Sequence, residues 1–164
     1  MTKAGSIGGK HSHKGAPCNA SCYPDGAVAD ETIRSLSELA SDSAKRPFFL
    51  AAGFKRPHLG WMAPQSFFDM YNVSDVAVAK NRLPPKTMPK VAFSGNGEMC
   101  GMDDVDCKVN ADGYRLVPDA RHAELRAAYY SVVTFMDSQL GRVLDALEAT
   151  KLRDTTIVAF WGDQ

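Results

Sequence analysis

Three groups of residues in the sequence have types and spacings that could do chemistry. Asp163 and Gln164 follow the apolar run Thr156-Ile-Val-Ala-Phe-Trp161, so two oxygen donors fall at what reads as the carboxyl end of a buried strand. Open α/β sheets hold metals and substrates at such tips. Oxygen donors suit a hard cation, Ca²⁺ or Mg²⁺, better than zinc or copper, which favour His and Cys. Alone, an Asp-Gln pair is more simply a turn in which Asp caps the next element.

Lys55, Arg56 and His58 lie just past a second apolar run, Phe48-Phe-Leu-Ala-Ala52, in Gly53-Phe-Lys-Arg-Pro-His58. Two cations and an imidazole at a strand end make a candidate anion pocket, because fixed positive groups stabilise a multiply charged oxyanion. Pro57 restricts the backbone there and helps to aim His58. Either cation alone reads as a solvated side chain. The third group is Lys10, His11 and His13 in Gly9-Lys-His-Ser-His13. A His-x-His pair could bind a transition metal, but no further Cys or acidic ligand is near in sequence. No nucleophile stands out, since Ser6 and Ser94 are the serines beside glycine and neither sits in a Gly-x-Ser-x-Gly elbow. Cys22-Tyr-Pro-Asp25 lacks the Ser and Arg that would complete a Cys-x-Pro-Ser-Arg motif.

The elements that must position these groups follow from periodicity. Residues 1–28 are rich in glycine and read as loop. Asp30 reads as an N-cap, with Ile33, Leu36 and Leu39 at helical spacing, predicting a helix over 30–43. The runs at 48–52 and 156–161 fit strands buried on both faces. Pro64 suits a first helical turn and predicts a short helix to Tyr71. Residues 72–117, with prolines at 84, 85 and 89 and no strong period, read as a long irregular insertion. Leu125, Tyr129, Val132, Val133, Met136, Leu140, Val143, Leu144 and Leu147 recur at three- and four-residue steps, predicting a long amphipathic helix over 119–149. Helix, strand, helix, long helix, strand is the order of an α/β sheet with right-handed crossovers.

Composition narrows the function classes. The 164 residues are 45% hydrophobic and 23% charged, a soluble globular composition. Lys+Arg and Asp+Glu are 19 each, so no net charge favours nucleic acid or an anionic membrane. Phe48 to Phe54, the longest apolar stretch, is far short of the roughly 20 residues of a membrane span. The first residues lack the apolar core of a signal peptide. Against a cytosolic reading stand four cysteines in two close pairs, Cys18/Cys22 and Cys100/Cys107, and the acceptor tripeptides Asn19-Ala-Ser21 and Asn72-Val-Ser74. Together these point to an oxidising compartment. Halting one or two residues past a strand reads as a piece of a longer protein, whose signal peptide would lie upstream.

In order and spacing, Phe48-Phe-Leu-Ala-Ala-Gly-Phe-Lys-Arg-Pro-His-Leu59, Tyr129 to Leu147 and Thr156-Ile-Val-Ala-Phe-Trp-Gly-Asp163 closely resemble the formylglycine-dependent sulfatase family. The resemblance covers the chain from about residue 30 onward. It implies an alkaline-phosphatase-like α/β sandwich, mostly parallel sheet with flanking helices, with residues 1–164 a part of the catalytic domain. It implies hydrolysis of sulfate esters, on a sulfated sugar such as a glycosaminoglycan, beside one Ca²⁺ ion. In the family the nucleophile is a formylglycine whose hydrate attacks the ester. The cysteine that would give it, the first two metal aspartates and a last basic residue are expected outside these 164 residues, so the isolated polypeptide is expected to lack sulfatase turnover.

Carried over position by position, Asp163 matches the metal aspartate and Gln164 its neighbouring ligand, where an amide oxygen still suits Ca²⁺. His58 matches a sulfate-contacting histidine. Gly9-Lys10-His-Ser-His13-Lys-Gly15 resembles a Gly-Lys-x-x-His-x-Gly segment, which makes Lys10 a charge-compensating residue and His13 a candidate proton donor. His11 falls at a variable position. Cys18 and Cys22 lie where relatives carry a loop disulfide. The resemblance also implies a lysosomal or extracellular setting. Two other readings stay open: a phosphate or phosphonate ester hydrolase of the same superfamily, and a non-catalytic module that binds sulfated glycan through Lys10, Lys55, Arg56 and His58.

Overall fold

The structure, a computed structural model, describes residues 10–42, 46–81, 83–93 and 95–162. The chain divides into two compact units, one formed by 1–19 with 56–135 and the other by 20–55 with 136–164.

The first unit is built on a parallel strand pair. Strand β1, His13–Ala16, runs beside β2, Trp61–Pro64, in the register His13 to Trp61, Lys14 to Met62, Gly15 to Ala63 and Ala16 to Pro64. Pro64, lacking an N–H, ends the ladder and leads into the single turn α2, Gln65–Phe68. The first half of the long helix α3, His122–Ala149, covers these elements. Leu125, Ala128, Val132 and Phe135 are buried on three- and four-residue spacings. Trp61 meets Tyr129 edge-on at 5.7 Å and Phe67 meets Phe135 at 5.2 Å, arrangements that aromatic quadrupoles favour. Tyr71 Oη and Thr134 Oγ1 share a 2.6 Å hydrogen bond.

Between α2 and α3 the chain makes single 3₁₀ turns and a small antiparallel hairpin, β3 (Lys108–Val109) and β4 (Arg115–Leu116). Asn110 Oδ1 accepts the N–H groups of Asp112 and Tyr114, and Gly113 takes a φ of +82° that only glycine adopts without strain. Cys100 is buried and bonded to Cys107. Cys18 and Cys22 are also disulfide-bonded, and no cysteine among the described residues is free.

In the second unit, α1 spans Pro24–Ser41. Its start differs from the expected one because Pro24 occupies the first helical turn, where a missing N–H costs nothing, and Asp25 adds a carboxylate at the positive end of the helix. Asp30 is therefore inside the helix, on a salt bridge to Arg142, and is not its cap. Asp25, Ala29, Thr32 and Leu36 form the buried face, and Asp25 accepts the Lys55 N–H at 2.8 Å. The second half of α3 ends where Lys151 turns left-handed (φ 60°) and the Leu152 N–H returns to the Leu147 carbonyl, closing the helix end.

Two expected strands are corrected. Residues 48–52 and 156–161 form no strand among the described residues, and Phe49, Ile157, Phe160 and Trp161 are 92%, 96%, 67% and 73% exposed. A continuous apolar run becomes a buried strand only where both faces are covered and both edges are paired, and the described residues supply neither to these segments. The parallel pair is instead made by 13–16, inside the expected loop, and by 61–64, at the edge of the expected short helix.

Candidate functional site

The amino ends of β1 and β2 gather three of the expected residues. The Trp61 N–H donates to the Ser12 carbonyl at 2.8 Å, which brings Lys10–His13 beside His58–Trp61. The approach is close enough that a Cβ on Gly60 would stand 2.6 Å from the His11 carbonyl oxygen. Gly60→Ala is expected to force the two segments apart and to lower stability by about 1–3 kcal/mol. Thermal unfolding would measure the loss, and an unaltered melting temperature would contradict the packing described.

Lys10 is exposed, and its backbone is fixed at both polar groups: its N–H donates to Asp103 Oδ2 at 2.8 Å and its carbonyl accepts the Asp103 N–H at 2.7 Å. Its ammonium has no ion-pair partner among the described residues. His58 is half exposed, and its Nδ1 lies 2.6 Å from the Leu59 carbonyl oxygen. That acceptor requires Nδ1 to carry the proton. Glu98 lies 3.6 Å from Nδ1, an exposed pair of little energetic weight.

Arg56, expected to bind substrate, has a different use. It is buried, with Nη1 donating to the His58 carbonyl at 2.7 Å and Nε to the Met62 carbonyl at 3.3 Å. The guanidinium braces the loop that carries His58. Lys55 lies in the second unit, where its backbone N–H is held by Asp25. Asp163 and Gln164 lie outside the described residues.

His13 stands in a closed polar ring that pattern reading missed. Its Nδ1 is 2.9 Å from Ser12 Oγ and its Nε2 is 3.2 Å from Glu124 Oε1. Ser12, fully buried, donates its hydroxyl to Asp104 Oδ2 at 2.6 Å and its N–H to Asp104 Oδ1 at 2.7 Å. Arg121 joins the two carboxylates, with Nη1 2.5 Å from Glu124 Oε2 and Nη2 3.6 Å from Asp104 Oδ2. Arg121 Nε is buried without a hydrogen-bond partner. Burial opposes ionisation of Asp104, but the hydrogen bonds from the Ser12 side chain and backbone, its own N–H and the charge of His13 outweigh it and hold the carboxyl below its ordinary value of 3.8. A signal for Asp104 was absent from local sequence, because its partner Ser12 is 92 residues away.

The family model named Sulfatase matches residues 6–164, and the chain belongs to the sulfatase family. Its small parallel sheet with flanking helices is part of that family's alkaline-phosphatase-like α/β domain. It is similar to iduronate 2-sulfatase of Mus musculus, 29% identical over 99% of this chain and 30% of the relative. It is also similar to a sulfatase of Formosa agariphila, 30% identical over 81% of this chain and 25% of the relative. An arylsulfatase of Clostridium perfringens is 33% identical over 86% of this chain and 26% of its own length. The chain thus spans a quarter to a third of the relatives it matches.

Among the described residues no group of three or more His, Cys, Asp or Glu side chains could hold a metal ion, and no helix is long and apolar enough to cross a membrane.

Proposed function

We propose that the protein hydrolyses sulfate esters of a sulfated sugar, with iduronate 2-sulfate-like groups as the substrate class. The juxtaposition of Lys10, His13 and His58 at one end of the β1–β2 pair carries this reading, in a chain matching the sulfatase model over nearly its whole length. The exposed Lys10 ammonium, with no ion-pair partner among the described residues, and the half-exposed His58 ring offer charge and a hydrogen bond to sulfate oxygens. His13 offers the proton. When the sulfur–oxygen bond breaks, its electron pair goes to the sugar oxygen, and a sugar alkoxide leaves readily only if protonated in the same step.

Asp163 and Gln164 would hold Ca²⁺, both being the hard oxygen donors that cation takes. Bound there, it would neutralise charge on the sulfate. Compartment follows the same proposal: paired cysteines and the resemblance to lysosomal or secreted enzymes fit an oxidising lumen or exterior.

The test is hydrolysis by the protein at its natural length of a nitrophenyl sulfate, a sulfated uronic acid and the matching phosphate esters. Faster turnover of the sulfates is expected. A preference for phosphate monoesters would transfer the reading to phosphoryl chemistry, and tight binding of heparin-like glycan with no turnover of any ester would make the site a binding module.

A further inference from the structure

We propose that the ring of Ser12, Asp104, Arg121 and Glu124 holds His13 as the doubly protonated imidazolium, with Glu124 as the positioning residue that faces its acidic nitrogen. The proton count forces the first half. A serine hydroxyl has one proton. At 2.6 Å from Asp104 Oδ2, within the range of a charge-assisted bond, that proton belongs to the carboxylate. The 2.9 Å contact between Ser12 Oγ and His13 Nδ1 is then a bond in which Nδ1–H donates to the oxygen lone pair.

The second half follows at the other nitrogen. An ionised carboxylate only accepts, so Glu124 Oε1 at 3.2 Å from Nε2 is attractive only if Nε2 also carries a proton. Arg121 bridges the two carboxylates, with contacts to Glu124 and to Asp104. Charge agrees with geometry: two carboxylates face one guanidinium, and the cluster is neutral only with a cationic His13. Phe68, whose ring centroid lies 6.1 Å from that of His13, contributes no charge. Glu124 has a side chain 34% exposed, so its hold on Nε2–H can be exchanged for that of a leaving oxygen without opening the core.

The proposal bears on catalysis only through the sulfate-ester reading, but the protonation pattern can be tested without it. In the protein at its natural length with isotope-labelled histidine, the ring nitrogens of His13, assigned by their loss in His13→Gln, are expected to give two N–H signals at neutral pH. In Glu124→Gln at the same pH, one nitrogen is expected to show a lone-pair signal. A single N–H in the unmodified protein, or an unaltered pattern in Glu124→Gln, would overturn the proposal. For kinetics, Glu124→Gln should lower kcat on an alkyl sulfate by about tenfold, part of the ~10²–10⁴ that a general acid supplies, with a markedly smaller loss on nitrophenyl sulfate, whose leaving group needs no proton. Equal losses on both substrates would refute the positioning role. Absence of hydrolysis of every sulfate ester by the unmodified protein would instead defeat the sulfatase reading, with the nitrogen signals still deciding the ring.

Discussion

In the protein at its natural length, replacing His13 by Gln is expected, on the sulfate-ester proposal, to lower kcat for an alkyl or sugar sulfate by about 10²–10⁴-fold, the contribution of one positioned general acid. Gln fills much the same volume on β1, and its amide can meet Ser12 Oγ or Glu124, so the strand and its ring neighbours should stay in place. What it cannot do is release a proton to a departing alkoxide. The loss should therefore fall on kcat with KM little altered, because an interaction made only as the bond breaks does not strengthen ground-state binding. It should shrink as the leaving group becomes more acidic, so a series of aryl and alkyl sulfates compared by steady-state kinetics measures the effect. A uniform loss across the series would mean that His13 binds the sulfate and does not serve as the acid. The same series separates His13 from Lys10, whose ammonium, if it holds the sulfate as proposed, should act alike on all leaving groups.

How much of this was legible in the sequence depends on how local each signal is. Helix α3 was legible to within a few residues, because its buried positions repeat over 28 residues and no proline interrupts them. Helix α1 was legible as a helix but not at its start: Gly26 and Pro24 look like loop residues, yet proline is at home in a first turn and Gly26 lies where a Cβ would stand 1.9 Å from the Ala20 carbonyl oxygen. Strands β1 and β2 were invisible to pattern because four residues each, with Lys14, Gly15 and Pro64 among them, carry no period of two. The apolar runs at 48–52 and 156–161 misled for the opposite reason, since such a run records the cover a strand needs without supplying it.

Candidate site residues divide along the same line. Lys10, His13 and His58 were legible because residue type and short spacing mark them. Asp104, Arg121 and Glu124 were not, since each looks like an ordinary surface charge until the fold brings it to Ser12 and His13. Arg56 shows the converse: beside Lys55 it reads as half of a basic pair, but two carbonyl acceptors within six residues of it claim the guanidinium.

Asp104→Ala is expected to cost about 3–5 kcal/mol of stability at neutral pH. The carboxylate is the acceptor for two donors of the fully buried Ser12, its N–H at 2.7 Å and its hydroxyl at 2.6 Å. Leaving a buried donor without a partner costs about 1–3 kcal/mol, and more where the lost partner was charged. Neither donor can turn to water, because Ser12 has no exposed surface. The pH dependence carries a definite sign. The folded-state pKa of Asp104 lies below its ordinary value of 3.8, so the unfolded chain takes up this proton more readily than the folded one. The stabilisation from its ionisation is therefore fully present above that value and is lost as the pH falls through the lower, folded pKa. Alanine has no proton to gain, so the difference in stability between the two proteins should be widest near neutrality and narrow in acid. Urea unfolding of both at neutral pH and at a series of acid values measures it. A gap that stays constant down to the acid limit would mean that Asp104 fills space beside Ser12 without acting through its charge, and the ring around His13 would lose the acceptor that orders its protons.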